Sequence, residues 1–220
     1  MGKPLRVMIY DKTDLKRSYN IIGDKEPDIV LPSLSYAWRA GAVAYRVGRF
    51  IDLYKGVSSW EEALDWLYEI GKNKYIDTVS FWGHGTYGRA WINGESMDVT
   101  ALNPEHKWYQ KLKKIRSILM PTSTWWFRTC MTFGGEKGHT FAKTWTDFFG
   151  CNAAAHTCLI GSWGLHSFGF ALRSGDEPHW TTSDGILQKD GKSIPLNSWF
   201  SLPNTITCLH GTIPEGWWSS

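Results

Sequence analysis

Ile76-Asp77-Thr78-Val79-Ser80-Phe81-Trp82-Gly83-His84-Gly85 and Thr124-Trp125-Trp126-Phe127-Arg128-Thr129-Cys130 are the two stretches whose reading decides the fold. Each is an apolar run of strand length, rich in β-branched and aromatic residues, that stops on a reactive side chain. Gly85 follows the first at once, and Gly134-Gly135 follows the second closely. As neighbouring parallel strands, they bring His84 and Cys130 out together at the carboxyl edge of one sheet. Open α/β sheets place their ligands and chemistry along that edge. A histidine beside a cysteine there is a candidate thiolate–imidazole dyad.

The segments around these two runs alternate in type. Leu5 to Tyr10 reads as a first strand ending in the polar turn Asp11-Lys12-Thr13-Asp14, and residues 15 to 34 read as irregular. From Leu34 to Tyr54 the apolar positions Tyr36, Ala37, Ala40, Val43, Ala44, Val47, Phe50, Ile51 and Tyr54 fit one helical face. Ser59 and Glu62 form a capping box ahead of a stripe of Trp60, Ala63, Leu64, Leu67 and Ile70, closed by Gly71. After strand 76–82 a small hairpin is predicted around Arg89 to Ile92, and a third helix from Pro104 to about Leu119. Strand 124–129, a helix from Glu136 to Phe149 capped by Gly150, and a short strand from Cys151 to His156 complete the series. Strands separated by helical crossovers predict an α/β three-layer sandwich with a mostly parallel central sheet. Past Leu159 the pattern loosens, and no repeat or linker divides the chain, so residues 1–220 are read as a single domain.

Composition removes several classes. At 220 residues with 42% hydrophobic and 20% charged residues, the chain is neither disordered nor fibrous. A net charge of +3 is too small to indicate nucleic acid. The basic run Lys107 to Arg116 reads as the solvated face of a helix whose other side carries Trp108, Leu112, Ile115 and Leu119. No apolar run approaches the ~18 residues of a membrane span, so no membrane partner is expected. Cytoplasmic location is the default expectation, or secretion if a leader was removed. Four cysteines (130, 151, 158 and 208) lack the density of a disulfide scaffold. The fourteen tryptophans are the unusual number. Trp125 and Trp126 cannot point the same way on a strand, so either some aromatic surface lines a groove or contacts a partner, or both faces of the sheet are covered and the rings supply bulk to each.

The order of these motifs resembles the caspase-like (clan CD) cysteine peptidases, in which a strand ending in His-Gly precedes a strand ending in Cys with a glycine-rich turn and helix. The stretch Thr129-Cys130-Met131-Thr132-Phe133-Gly134-Gly135, continuing through Phe141-Ala142 to Phe149-Gly150-Cys151-Asn152-Ala153-Ala154-Ala155-His156-Thr157, is similar to the bacterial branch typified by domain of unknown function 4347. The resemblance spans roughly residues 5 to 165 and implies a caspase-like sheet. It also implies acyl transfer on a peptide or protein substrate, without a cofactor or a metal. Cys130 would attack the carbonyl and His84 would act as its base and then as the acid for the leaving group. The backbone N–H groups of Gly85 and Cys130 would form the oxyanion hole. No third catalytic residue is implied. The departures are Thr129, where the family favours a smaller residue before the nucleophile, and the charge of Arg128.

Substrate-binding candidates beyond the dyad are Asp176, with Glu177, as an acidic pocket for a basic side chain, and Trp163 and Trp180 as its walls. Oligomeric state is left open. Cys151, His156, Cys158, His139 and His166 offer metal ligands, but without a Cys-x-x-Cys or His-x-x-x-His pair among them. The alternative from a different class is a non-catalytic caspase-like scaffold that holds a peptide or glycan in a tryptophan-rich groove.

Overall fold

The computed structural model describes residues 3–14, 17–18, 30–31, 33–160, 169–196 and 211–218. Trp163, His166 and Cys208 lie outside the described residues. Among those described, the chain is a mixed α/β protein with four α-helices and a six-stranded central sheet. No helix among them is long and apolar enough to cross a membrane.

In chain order, β1 (Leu5–Asp11) is followed by the short pair β2 (Arg17–Ser18) and β3 (Val30–Leu31), then α1 (Leu34–Val47), β4 (Leu53–Val57) and α2 (Trp60–Gly71). Next come β5 (Ile76–Trp82), the small meander β6 (His84–Thr86), β7 (Arg89–Ile92) and β8 (Glu95–Met97), and α3 (Tyr109–Arg116). β9 (Leu119–Arg128), α4 (Gly135–Phe149), β10 (Asn152–His156), β11 (Gly169–Leu172) and the hairpin β12 (Ile186–Lys189) and β13 (Lys192–Pro195) follow. The sheet runs β11-β10-β9-β5-β1-β4, parallel throughout except for the antiparallel β11.

That order places one crossover, β1 to β4, in one direction and the later ones in the other. Since such crossovers are right-handed, a reversal of direction puts the helices on opposite faces. α1 therefore stands alone on one face, against Met8, Tyr10 and Trp82. α2, α3 and α4 share the other face with Val7, Ile9, Val79, Phe81, Trp125, Phe127, Ala153 and Ala155. The strand alternation follows: Trp125 belongs to the three-helix core, while Trp126 packs on Trp217 across the sheet.

Several local predictions meet the structure closely, and others are corrected. The α2 cap forms as read, with Ser59 Oγ accepting from Glu62 N–H at 3.1 Å. The reciprocal arm differs, because Glu62 accepts from Ser58 rather than Ser59. Gly71 is the last helical residue of α2 and not its cap; a β-carbon there would collide with Ile118 and Ile76. Gly150 caps α4 in the left-handed conformation, at φ 63°. The long helix 34–54 is two elements. α1 stops at Val47, the chain turns through Arg49 at φ 60°, and residues 53–57 pair with β1 as an edge strand. The helix from Pro104 is shorter at its start. A 3₁₀ turn at Val99–Leu102 and successive turns precede α3, and Leu119 already belongs to β9.

Candidate functional site

β5 and β9 are adjacent parallel strands whose register pairs Ser80 with Trp126 and Trp82 with Arg128. Two residues on along each lie His84 and Cys130. Both residues therefore follow the carboxyl ends of neighbouring strands, His84 after the bend at Gly83 and Cys130 in the turn that follows Arg128. After Trp82 the chain leaves β5. It bends at Gly83 and continues into β6, whose first residue, His84, pairs with Trp91.

Asp14 lies directly against His84. Its Oδ2 is 3.1 Å from His84 Nε2, with the Asp14 side chain 12% exposed and that of His84 36% exposed. The ring of Trp38, from α1, meets the His84 ring edge-on with centroids 5.5 Å apart. An open cleft of about 230 Å³ is bounded among the described residues by Asp11, Thr13, Asp14, His84, Trp91, Asn93 and Gly94. It sits where the strand order reverses between β1 and β5, the point at which open α/β sheets form their crevice. Cys130 is not part of this lining and stands one strand over.

The loop carrying Cys130 is held from both sides. Met131 N–H donates to the Cys158 carbonyl and Phe133 N–H to the His156 carbonyl, both at 3.0 Å, tying it to the exit of β10. Gly88 N–H donates to the Thr132 carbonyl at 3.0 Å, and Thr132 Oγ1 to the Arg89 carbonyl at 3.2 Å, tying it to the β6–β7 turn. The Thr129 and Thr132 hydroxyls share a 2.5 Å hydrogen bond. Met131 takes φ 53°, a left-handed conformation that costs a non-glycine residue about 1–3 kcal/mol and persists only where the surroundings impose it. Such strain directly after a candidate nucleophile fixes where that side chain points.

Gly85 lies against this loop. A β-carbon there would stand 2.6 Å from Thr132 Oγ1, 2.7 Å from Thr129 Cβ and 2.8 Å from the Cys130 carbonyl oxygen. The glycine is thus required by close approach of the two loops.

The described cysteines differ in surroundings. Cys130 is partly exposed, and Ile160 N–H donates to its Sγ at 3.4 Å. Cys151 is buried in the three-helix core, and burial pushes its thiol up to about 12. Cys158 is buried as well. Arg128, one of the departures, turns away from the cleft. Its guanidinium lies over Trp126 at 4.2 Å and Trp82 at 4.4 Å and donates to Tyr45 Oη at 2.7 Å.

The other predicted residues fall elsewhere. Trp180 is buried, stacked between Phe133 at 5.3 Å and Phe170 at 5.1 Å, with its indole N–H on the Phe133 carbonyl. Its ring is core and presents no wall to a substrate. Asp176 is exposed on the loop after β11, and neighbouring Glu177 pairs with Lys143 of α4 at 3.4 Å. Neither Asp176 nor Trp180 bounds the cleft. Among the described residues no three His, Cys, Asp or Glu side chains gather as a metal site. The residues missed from sequence are Asp14, Trp38 and Trp91. The one available signal was the polar turn Asp11–Asp14 at the end of the first strand.

No protein-family model and no curated protein matches this chain. The fold and site define it as an α/β protein with a histidine and a cysteine at the carboxyl edge of two adjacent parallel strands.

Proposed function

We propose that the protein is a cysteine-dependent acyl-transfer enzyme, in its simplest form a caspase-like cysteine peptidase, with Cys130 as nucleophile and His84 as base. The observation that carries this is that β5 and β9 are adjacent parallel strands paired as far as Trp82 and Arg128, with His84 and Cys130 each two residues beyond that pair. The tied, strained loop at Cys130 and the Ile160 N–H on its sulfur add support. His84 takes the proton from Sγ, and the sulfur forms a bond to the substrate carbonyl carbon. Collapse of the tetrahedral adduct breaks the C–N bond, and the amine leaves with the proton held by His84. Water then cleaves the thioester, returning the proton to sulfur and releasing the acid. Backbone N–H groups of Gly85 and Cys130 would hold the oxyanion.

A second reading, a non-catalytic scaffold for a peptide or glycan, is favoured by one observation. The described lining of the cleft contains His84 and Trp91 but not Cys130. The pH dependence of alkylation by iodoacetamide, followed by peptide mass in wild type and His84→Ala, separates the two. The enzyme reading expects Cys130 to label selectively with a midpoint well below that of a free thiol, rising when His84 is removed. Labelling of Cys130 that ignores His84 would leave the binding scaffold.

A further inference from the structure

We infer that Asp14 is a positioning residue for His84, making the site a Cys130–His84–Asp14 arrangement; this rests on the dyad reading above. The resemblance implies no third member, and Asp14 enters from the geometry alone.

Three observations converge. The first is the contact itself: a largely buried carboxylate 3.1 Å from Nε2 of the only described histidine bounding the cleft. The second is the rigidity of its carrier. Asp11 Oδ1 accepts from both the N–H and the hydroxyl of Thr13, at 2.8 and 2.6 Å, which folds the turn back on the end of β1. Asp11 Oδ2 accepts from Asn93 N–H at 3.2 Å, and the Asp11 carbonyl accepts from Ser35 Oγ at 2.8 Å. The turn is therefore anchored to the β7–β8 connection and to the first turn of α1. Asp11 is committed to that scaffold through both oxygens, and Asp14 is the carboxylate turned toward the ring. The third is the packing of Trp38 edge-on against one side of the imidazole.

The chemical consequence concerns the two ring nitrogens. A carboxylate accepts and cannot donate, so the proton of a neutral His84 resides on Nε2. Nδ1 then carries the lone pair, and it is the nitrogen that takes the proton from the Cys130 thiol. Without Asp14 the ring is free to adopt the other tautomer, in which Nδ1 is blocked by its own proton. Among the described residues, the charged and titratable groups bounding the cleft around His84 are Asp11 and Asp14, with Cys130 beyond it after the neighbouring strand.

The test is the rate of Cys130 alkylation across pH in wild type, Asp14→Asn, His84→Ala and the double variant, each checked for native near-ultraviolet circular dichroism. Asp14→Asn keeps the size of the side chain and loses the obligatory acceptor. The expected result is labelling about tenfold slower below pH 7, equivalent to a midpoint displaced by roughly one pH unit. No further slowing is expected when His84 is already alanine. Two results overturn the inference while leaving the dyad intact. In one, Asp14→Asn labels like wild type although His84→Ala does not. In the other, Asp14→Asn slows labelling equally with and without His84. If wild type and His84→Ala label alike, the dyad itself falls and the role of Asp14 falls with it.

Discussion

The two faces of the central sheet are built to different rules. One is covered by α2, α3 and α4 over a continuous core in which Trp60, Trp125, Trp145, Phe81, Phe127 and Phe141 are wholly buried. Phe127 meets Phe141 and Trp145 edge-on, each at 5.2 Å, and Trp125 meets Trp145 at 5.3 Å. The other face has α1 at one side and Ile213, Trp217 and Trp218 at the other, with two small clusters between which Arg128 lies flat. The candidate site belongs to this thinner face. A packed face supplies rigidity and excludes reactivity, as Cys151 illustrates, whereas the His84 and Cys130 side chains are partly exposed. The strand order causes the division, because a single crossover runs toward β4 and the rest run toward β11.

The largest effect that would break this comparison is truncation in the packed face. Trp145→Ala or Trp125→Ala is expected to cost about 3–5 kcal/mol in urea unfolding, the usual range for a buried aromatic reduced to alanine. The folded fraction should still show wild-type pH dependence of Cys130 labelling. Trp38→Ala on the thin face should behave oppositely. It should cost less than half as much stability and slow labelling through loss of the ring that flanks His84. If the two classes of variant affect labelling alike, the faces are not functionally separate.

A smaller effect is expected at Arg128. Its guanidinium is stacked on two indoles out of water, an arrangement worth about 2 kcal/mol. Arg128→Ala should lose that amount in chemical denaturation, and Arg128→Lys should fail to recover it, since a compact ammonium cannot stack. Full recovery with lysine would mean that charge alone matters there.

The smallest effect sharpens the packed side. Burial raises the Glu62 carboxyl, but the Ser58 N–H and hydroxyl, Lys55 and Lys12 outweigh it and hold it at about 2. A carboxyl depressed in the folded state contributes stability above its unfolded value and loses that contribution as pH falls toward the folded one. The contribution should be complete above about pH 5 and fade toward pH 2, amounting to about 1–2 kcal/mol after screening by solvent. Glu62→Gln should flatten the acid limb of stability against pH over that window. An unchanged limb would remove Glu62 from the account.

Legibility from sequence divides along the range of the interaction. The Ser59–Glu62 cap, the stripe of α2, the strand 76–82 and the Gly150 stop are determined within a few residues, and each was readable. The split between Trp125 and Trp126 was readable too, since alternation is local. The end of α1 was not, because apolar spacing continues from the helix into β4 and only pairing with β1 distinguishes them. Trp180 looked like a loop aromatic, and its burial depends on stacking between Phe170 and Phe133, the latter 47 residues away in the chain.

The sequence by itself determined β1, β5, β9 and β10, most of the helices, and the placing of a histidine and a cysteine at the ends of two apolar runs. Those follow from periodicity, caps and turn residues, which act between near neighbours. Only the tertiary structure decided that β5 lies between β1 and β9, that Asp14 meets His84 across that junction, and that the cysteine loop is strained and tied in place. Strand order and handed crossovers set those contacts, and they join residues that no local pattern relates.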